Sequence, residues 1–396
     1  MIRHLLKLVW NRKRANALIV AEIFVSFLVV FAVLTGLVMF GLVWSDPIGF
    51  DWHNVWDVRM DFDIDGRQTA DQELHDAVMR MLTEARSFPE VEAAAISNTP
   101  AYSFSNTNGT REFGGRRVDL TMDDVTDDFA KVMRLKVLRG RFFNAEDDAS
   151  NDLPVVIDRN AAMEIFGTLD AVGKKMEETE NQFSRVVGVV ESYRKNGESS
   201  LPMNMIFFRT SPTRKYGRLG SHILVRVRPG TPAAFEERLA TRLQQIAPRV
   251  TFRVRHMDAM RRSMLRTRFA PLVLGGIVGL FLISMVTLGL TGVLWQNVTR
   301  RTRELGLRRA LGASGPAVHR QILLEVALLA TLAVIVGTIL IAQLPILGVF
   351  RIVTPSAFTG GFLGALATIY GLTILCGLYP SWFASRLQPA DALRYE

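Results

Sequence analysis

Four long apolar runs divide the chain, and the stretch between the first two is patterned as a water-facing α+β domain. The first run extends from Ala15 to Trp44. At 1.5 Å per residue such a helix is ~45 Å long, more than the ~30 Å hydrocarbon core of a bilayer requires. A cleavable signal peptide has a shorter apolar core and a small-residue cleavage site. The run therefore predicts an uncleaved first span, residues 15–45, that protrudes as a stalk. The second span is placed at 269–298 and is rich in glycine (Gly275, Gly276, Gly279, Gly289, Gly292); the third falls at 322–346 and the fourth at 362–379. Trp44, Trp295 and Tyr379 sit at span ends, where amphipathic rings favour the interface.

Residues 46–268 change period. Trp56, Val58, Met60 and Phe62 alternate with Asp57, Arg59 and Asp61, the pattern of a half-buried strand. Leu74, Val78, Met81 and Leu82 follow at helical spacing, and Val91–Ile96 reads as a second strand. A matching β-α-β pattern recurs in Ile223, Val225 and Val227, then Phe235, Leu239, Leu243 and Ile246, then Val250–Val254. These units lie at the two ends of the segment, so residues 46–96 and 183–256 are expected to pack as one membrane-proximal module. Residues 97–182 then form an inserted second module. From His256 to Phe269, Met257, Met260 and Met264 mark a helix leading into the second span, with Pro271 as a potential kink.

Charge sets the orientation. Of 47 basic and 38 acidic residues, 33 of each fall between Asp46 and Arg268, so the net charge of +9 arises entirely from the remaining 14 and 5. Arg3, Lys7, Arg12, Lys13 and Arg14 precede the first span, and Arg300, Arg301, Arg303, Arg308, Arg309 and Arg320 lie between the second and third. The short loop 347–361 carries only Arg351. By the positive-inside rule both termini and the loop 299–321 are cytoplasmic, and residues 46–268 and 347–361 lie outside. A basic excess confined to span flanks argues for contact with membrane lipid and against nucleic acid. In residues 1–14, Ile2, Leu5, Leu6 and Val9 share a helical face opposite Arg3 and Lys7. That suits a cytoplasmic amphipathic helix lying in the interface, and an ordinary basic flank serves equally well.

Little in the chain has the form of reaction chemistry. Gly167–Lys175, GTLDAVGKK, is the nearest approach to a phosphate-binding loop. It has five residues between its glycines rather than four and Lys175 where Ser or Thr must ligate magnesium. The six histidines (His4, His53, His75, His222, His256, His319) lack metal-ligand spacing, and no catalytic and no cofactor- or metal-binding residue is assigned. Asp123–Asp124 and Asp127–Asp128 read as solvated turns. With Cys376 as the single cysteine no internal disulfide is available. Glu22 and Glu325 fall in or near apolar spans; a coupling role and simple interfacial placement both remain open. Gly275 and Gly279 permit close helix packing, with a dimer seam as one reading. Thr302–Ser314, TRELGLRRALGAS, is a basic amphipathic helix broken at Gly312.

This last segment, continued as GPAVHRQILLE, resembles the cytoplasmic signature of the FtsX-like permease domain. Tyr379–Glu396, YPSWFASRLQPADALRYE, resembles the same domain's terminal pattern, with Asp391 where Glu is commoner. Phe129–Asp148, Val155–Gly167 and Phe183–Ser192 are similar to the MacB-type periplasmic core. The resemblance implies an α-helical membrane protein of four spans with an α+β periplasmic domain, a type VII ABC permease of the bacterial inner membrane. It implies a dimer of permeases, homomeric or heteromeric, driven by two copies of a cytoplasmic ABC ATPase that binds ATP and magnesium. This chain begins almost directly with its first span, so the ATPase is expected on another polypeptide and no cofactor on this one. The ATPase-coupling role falls on Arg303, Glu304, Gly306, Leu307, Arg308, Ala310, Leu311 and Gly312, and more weakly on Pro389, Ala392 and Leu393. A periplasmic adaptor and an outer-membrane channel are further implied partners. The alternative is an FtsX-like signalling subunit that regulates an external cell-wall hydrolase.

Overall fold

The computed structural model describes residues 13–62, 72–113, 115–150, 152–179, 182–210, 220–248, 250–300, 315–351 and 353–386. The expected amphipathic helix at the N-terminus lies almost wholly outside them. The chain divides into two compact units, residues 1–42 with 269–396, and residues 43–268.

The first unit is helical. Helix α1 (Lys13–Trp44) contributes Ile19, Ile23, Phe27, Val30 and Phe31 to a buried apolar cluster. Packed with it are Val286 and Leu290 of α6 (Met257–Arg300), Val326, Leu329, Ala330, Ala333 and Val334 of α7 (Gly315–Ile341), and Ala365, Ile369 and Cys376 of α8 (Pro355–Arg386). Cys376 is thus a helix-packing residue. Four helices are long and apolar enough to cross a membrane: Ala17–Trp44, Met257–Gly292, Leu323–Ile341 and Pro355–Leu378.

Two span boundaries differ from the sequence reading. Helix α7 stops at Ile341 rather than 346 and passes into turns, because Pro345 cannot donate and disfavours helix in the residue before it. Helix α8 starts at Pro355, seven residues before the expected 362. Thr354 caps it, its Oγ1 accepting from the Ala357 amide at 3.3 Å, and proline suits the first helical position. Gly360 and Gly361 stand inside this first part of α8, where α1 approaches closely.

The second unit is built on one eleven-stranded sheet. Strands β1 (Val55–Phe62), β2 (Val91–Ser97), β10 (His222–Val227) and β11 (Val250–His256) form one antiparallel part. Helices α2 (Gln72–Ser87) and α5 (Ala234–Ile246) cover it, burying Val78, Met81, Leu82, Phe235, Leu239 and Leu243 against Trp56, Val58 and Met60. The terminal β-α-β units therefore do pack together.

The other part holds β3 (Thr107–Phe113), β4 (Arg116–Val125), β5 (Val137–Gly140), β6 (Leu153–Asp158), β7 (Lys175–Thr179), β8 (Gln182–Val190) and β9 (Met205–Arg209). With them come the short helices α3 (Phe129–Met133) and α4 (Arg159–Phe166). The strand order across the whole sheet is β11-β1-β10-β2-β4-β9-β6-β8-β5, with β3 on β4 and β7 on β8. The inserted module thus runs to about 210 rather than 182. Strand β8 pairs parallel with β6, and β9 pairs parallel with β4, partners that hydrophobic period alone does not reveal. The two parts meet at a single backbone pair, Ser97 opposite Val125. Beneath that junction lies a shared core of Phe50, Tyr102, Phe129, Tyr193 and Phe207, joined by Met257, Met260 and Met264 from the first turns of α6. Fully burying each methionine is worth ~1.5–3 kcal/mol, so these turns are part of the external core.

Candidate functional site

The predicted coupling residues Arg303, Glu304, Gly306, Leu307, Arg308, Ala310, Leu311 and Gly312 lie outside the described residues, as do Pro389, Ala392 and Leu393. The elements beside them are described. Helix α6 continues to Arg300, α7 begins at Gly315 and α8 reaches Arg386, so the loop between α6 and α7 is framed by helix on both sides.

Gly275 and Gly279 face α1 of the same chain. A Cβ at Gly275 would lie 3.1 Å from Val33, and one at Gly279 3.6 Å from Val29. A Cβ at Gly289, further along α6, would lie 3.0 Å from the carboxylate of the half-buried Glu22. The glycine stripe thus lets α6 approach α1, and the apolar side chains Val273, Leu274, Ile277, Leu280, Phe281 and Leu288 of α6 are exposed.

The external unit holds a site that the sequence reading passed over. Strand β8 leads into the turn Tyr193–Ser200, YRKNGESS. In the fold Tyr193, Arg194 and Lys195 are each 1% exposed or less. Arg194 Nη1 donates to the Asp46 carbonyl at 2.8 Å, Nη2 to Glu198 O at 2.9 Å, and Nε to Ser200 O at 3.2 Å. The Arg194 amide donates to Ile48 O at 2.9 Å. Lys195 Nζ donates to Ser105 O at 2.6 Å. Burial pulls its pKa down to about 8, against the attraction of Asp123. Glu198 pairs with Arg261 Nε at 2.7 Å and accepts from the Tyr102 hydroxyl at 3.4 Å. Arg261 also lies over the Trp52 ring, 4.8 Å from its centroid. Burial, with Glu198 nearby, raises the Tyr102 pKa far above the phenolic range, so its hydroxyl stays neutral.

Two aspartates complete this network. Asp123 is 1% exposed, on β4, and accepts from the Ser97 hydroxyl at 2.7 Å and the Asn98 and Thr99 amides at 3.0 and 2.9 Å. It is a buried clamp across the β2–β4 junction and not the solvated turn expected from sequence. Burial pushes its pKa up to about 6, against the Ser97 hydrogen bond and the Lys195 charge. Asp158 caps α4 through the Ala161 amide at 2.9 Å and also accepts from the Tyr193 and Met205 amides at 3.2 and 3.1 Å. Asp127 and Asp128 are ion-paired too, with Arg209 at 2.6 Å and with Arg86 at 2.9 Å.

A second buried cluster lies on β1 and β10. Asp57, read as an outward strand position, is fully buried between His222 Nδ1 at 2.7 Å and Arg255 Nη2 at 2.8 Å. Arg226, which alternates with Val225 and Val227 on β10, is 1% exposed and donates to Val132 O at 2.6 Å and His53 O at 2.8 Å. Strand β10 is central, with covered faces on both sides, so its alternation does not report exposure. These groups hold backbone segments together. Among the described residues no group of three or more His, Cys, Asp or Glu is placed to hold a metal ion.

Comparison with known proteins shows what the chain resembles. A family model of the MacB-like periplasmic core domain matches residues 24–242, and one of the FtsX-like permease C-terminal region matches residues 276–389. The protein named macrolide export ATP-binding/permease protein MacB of Bordetella avium (strain 197N) is 26% identical over 300 residues, covering 73% of this chain and 45% of its own length. Its namesake in Pasteurella multocida (strain Pm70) is 29% identical over 290 residues, covering 72% and 44%. That of Burkholderia lata is 29% identical over 338 residues, covering 83% and 47%. The chain spans about half the length of the curated relatives it matches. Among solved structures, the periplasmic region of MacB from Actinobacillus actinomycetemcomitans aligns with 56% of this chain and 97% of its own, at 14% identity and a TM-score of 0.40. Since the first model alone takes in more than half of the sequence and the second most of the C-terminal remainder, the chain belongs to the MacB-like family of permeases, with an FtsX-like C-terminal region.

Proposed function

We propose that this chain is the permease subunit of an ABC transporter of the bacterial inner membrane, non-catalytic itself and driven by a separate ATPase. ATP hydrolysis on the cytoplasmic side displaces the helices at the loop 301–314, and the external domain moves in response. That movement drives export or extraction of a substrate already outside the membrane, a peptide, toxin, drug or lipoprotein. Two permeases, identical or paired with a second kind, and two ATPase copies make the working unit. A periplasmic adaptor and an outer-membrane channel extend it.

The observation that carries this reading is helix α6. It runs without interruption from Met257, in the core of the external domain, to Arg300, at the edge of the arginine-rich loop. One end of that helix belongs to the external core and the other borders the ATPase-coupling signature. The arginine excess of that loop supports its cytoplasmic placement, and with it that of both termini.

The test is reconstitution. The full chain is co-expressed with a candidate partner ABC ATPase, incorporated into lipid nanodiscs, and assayed for ATP turnover. Co-purification and a turnover rate different from that of the isolated ATPase are expected. An ATPase that neither binds nor changes its rate overturns the reading. Capture of a cell-wall hydrolase by residues 46–268, in place of an adaptor or exported substrate, would favour the signalling alternative.

A further inference from the structure

Two segments of the external unit continue into apolar helices. Residues 45–54 follow α1, and residues 257–264 are the first turns of α6. Both are fastened to the same short turn, Tyr193–Ser200. On the first segment, the Arg194 guanidinium takes the Asp46 carbonyl and the Arg194 amide takes the Ile48 carbonyl. On the second, Glu198 takes Arg261 at 2.7 Å, with 12% and 22% of the two side chains exposed. Arg194 also holds the turn closed through Glu198 O and Ser200 O. Asp158 ties the turn to the inserted module by accepting the Tyr193 amide.

This is an unusual use of charge for a loop. A guanidinium removed from water is costly, and only full hydrogen bonding offsets the loss. Arg194 reaches its partner Asp46 across 148 residues of sequence. A surface turn needs no such partner, and a merely stable one is more simply made with apolar contacts. Ionic and hydrogen-bonded contacts differ from apolar ones in being directional, so they fix position as well as proximity.

We propose that the turn Tyr193–Ser200 is the relay of the external domain, clamping the exit of α1 and the entry of α6 to the inserted module so that displacement of either helix reaches β6 and β8 through one element. Arg194 and Glu198 are its positioning residues. The relay rests on the transporter reading above; the clamp does not.

Hydrogen exchange of the full chain in lipid nanodiscs separates the two. Glu198→Gln removes the charge that holds Arg261 but keeps the side chain's shape, and a thermal melt checks that the variant is folded. The clamp predicts that amides in 45–54, which Glu198 does not touch, exchange faster by at least about fivefold, since opening of the turn exposes both segments together. Arg261→Met in the same chain gives a similar rise, and the double variant adds nothing further. Faster exchange confined to 196–202 and 258–265, with 45–54 unchanged, overturns the proposal. In a second arm, with the partner ATPase present, ATP alters exchange in 183–192 of the parent chain, and Glu198→Gln abolishes that response while basal ATP hydrolysis continues. A parent chain whose 183–192 segment ignores ATP overturns the relay through the transporter reading, whatever the first arm shows. A response that survives Glu198→Gln overturns the relay alone.

Discussion

Gly361 of α8 lies against Thr35 of α1 so closely that a Cβ on the glycine would stand 2.6 Å from the threonine Cα and 2.7 Å from its nitrogen. Backbone as well as the Thr35 hydroxyl is the obstacle, so the helices cannot accommodate a larger residue without separating. Gly361→Leu is expected to lower stability by ~1–3 kcal/mol or more through overpacking. Gly371→Ala, with nothing within 4 Å, should be neutral or slightly stabilising. Thermal unfolding of the full chain in detergent compares them, and equal midpoints for Gly361→Leu and the parent would contradict the close approach.

Arg226 is buried with its donors on the carbonyls of Val132, His53 and Asp51. Arg226→Met keeps much of the volume but leaves those oxygens without a donor. The expected cost is ~3–5 kcal/mol, the range for breaking a buried charged network from one side. A urea titration followed by tryptophan fluorescence measures it, and a change below ~1 kcal/mol would show that water replaces the guanidinium.

Asp123 makes stability depend on pH in a direction opposite to most paired carboxylates. Burial raises its pKa to about 6 in the folded chain, against ~3.9 when unfolded. The fold therefore favours the protonated acid. The stability this supplies is complete below about pH 4 and is lost as pH rises through about 6, at ~1.4 kcal/mol per unit of displacement. Asp123→Asn removes the titration while keeping an oxygen for the Asn98 and Thr99 amides. The difference in melting temperature between variant and parent should grow in the variant's favour from pH 4 to 6.5 and then level off. A constant difference would place the Asp123 titration elsewhere.

On the proposed function, Glu304→Lys or Leu311→Asp is expected to abolish stimulated hydrolysis by the partner ATPase and to leave membrane insertion intact. The first reverses a charge within the signature Thr302–Ser314 and the second places a carboxylate at one of its leucine positions. Stimulated turnover is the readout, with nanodisc incorporation as the control. Unchanged stimulation removes the coupling role from this segment.

Several of these features are legible in the chain before any fold is known. An apolar run about as long as a bilayer is thick is satisfied in lipid as a helix, so length and hydropathy located the four apolar helices, though not all their ends. Apolar spacing located β1, α2, β2, β10, α5 and β11, because helix and strand each present side chains at their own period. The Met257, Met260 and Met264 spacing announced the start of α6 for the same reason. Tertiary structure decided which charges are buried. Asp57, Asp123, Arg194 and Arg226 look like ordinary surface residues in the chain, and each is buried because its partners come from elsewhere in the chain. It also decided that β8 and β9 belong to the inserted module and that α8 begins at Pro355. Hydrophobic period records a residue's own preference for water. Pairing, register and close approach depend on which distant segment arrives beside it, and that is a property of the folded chain.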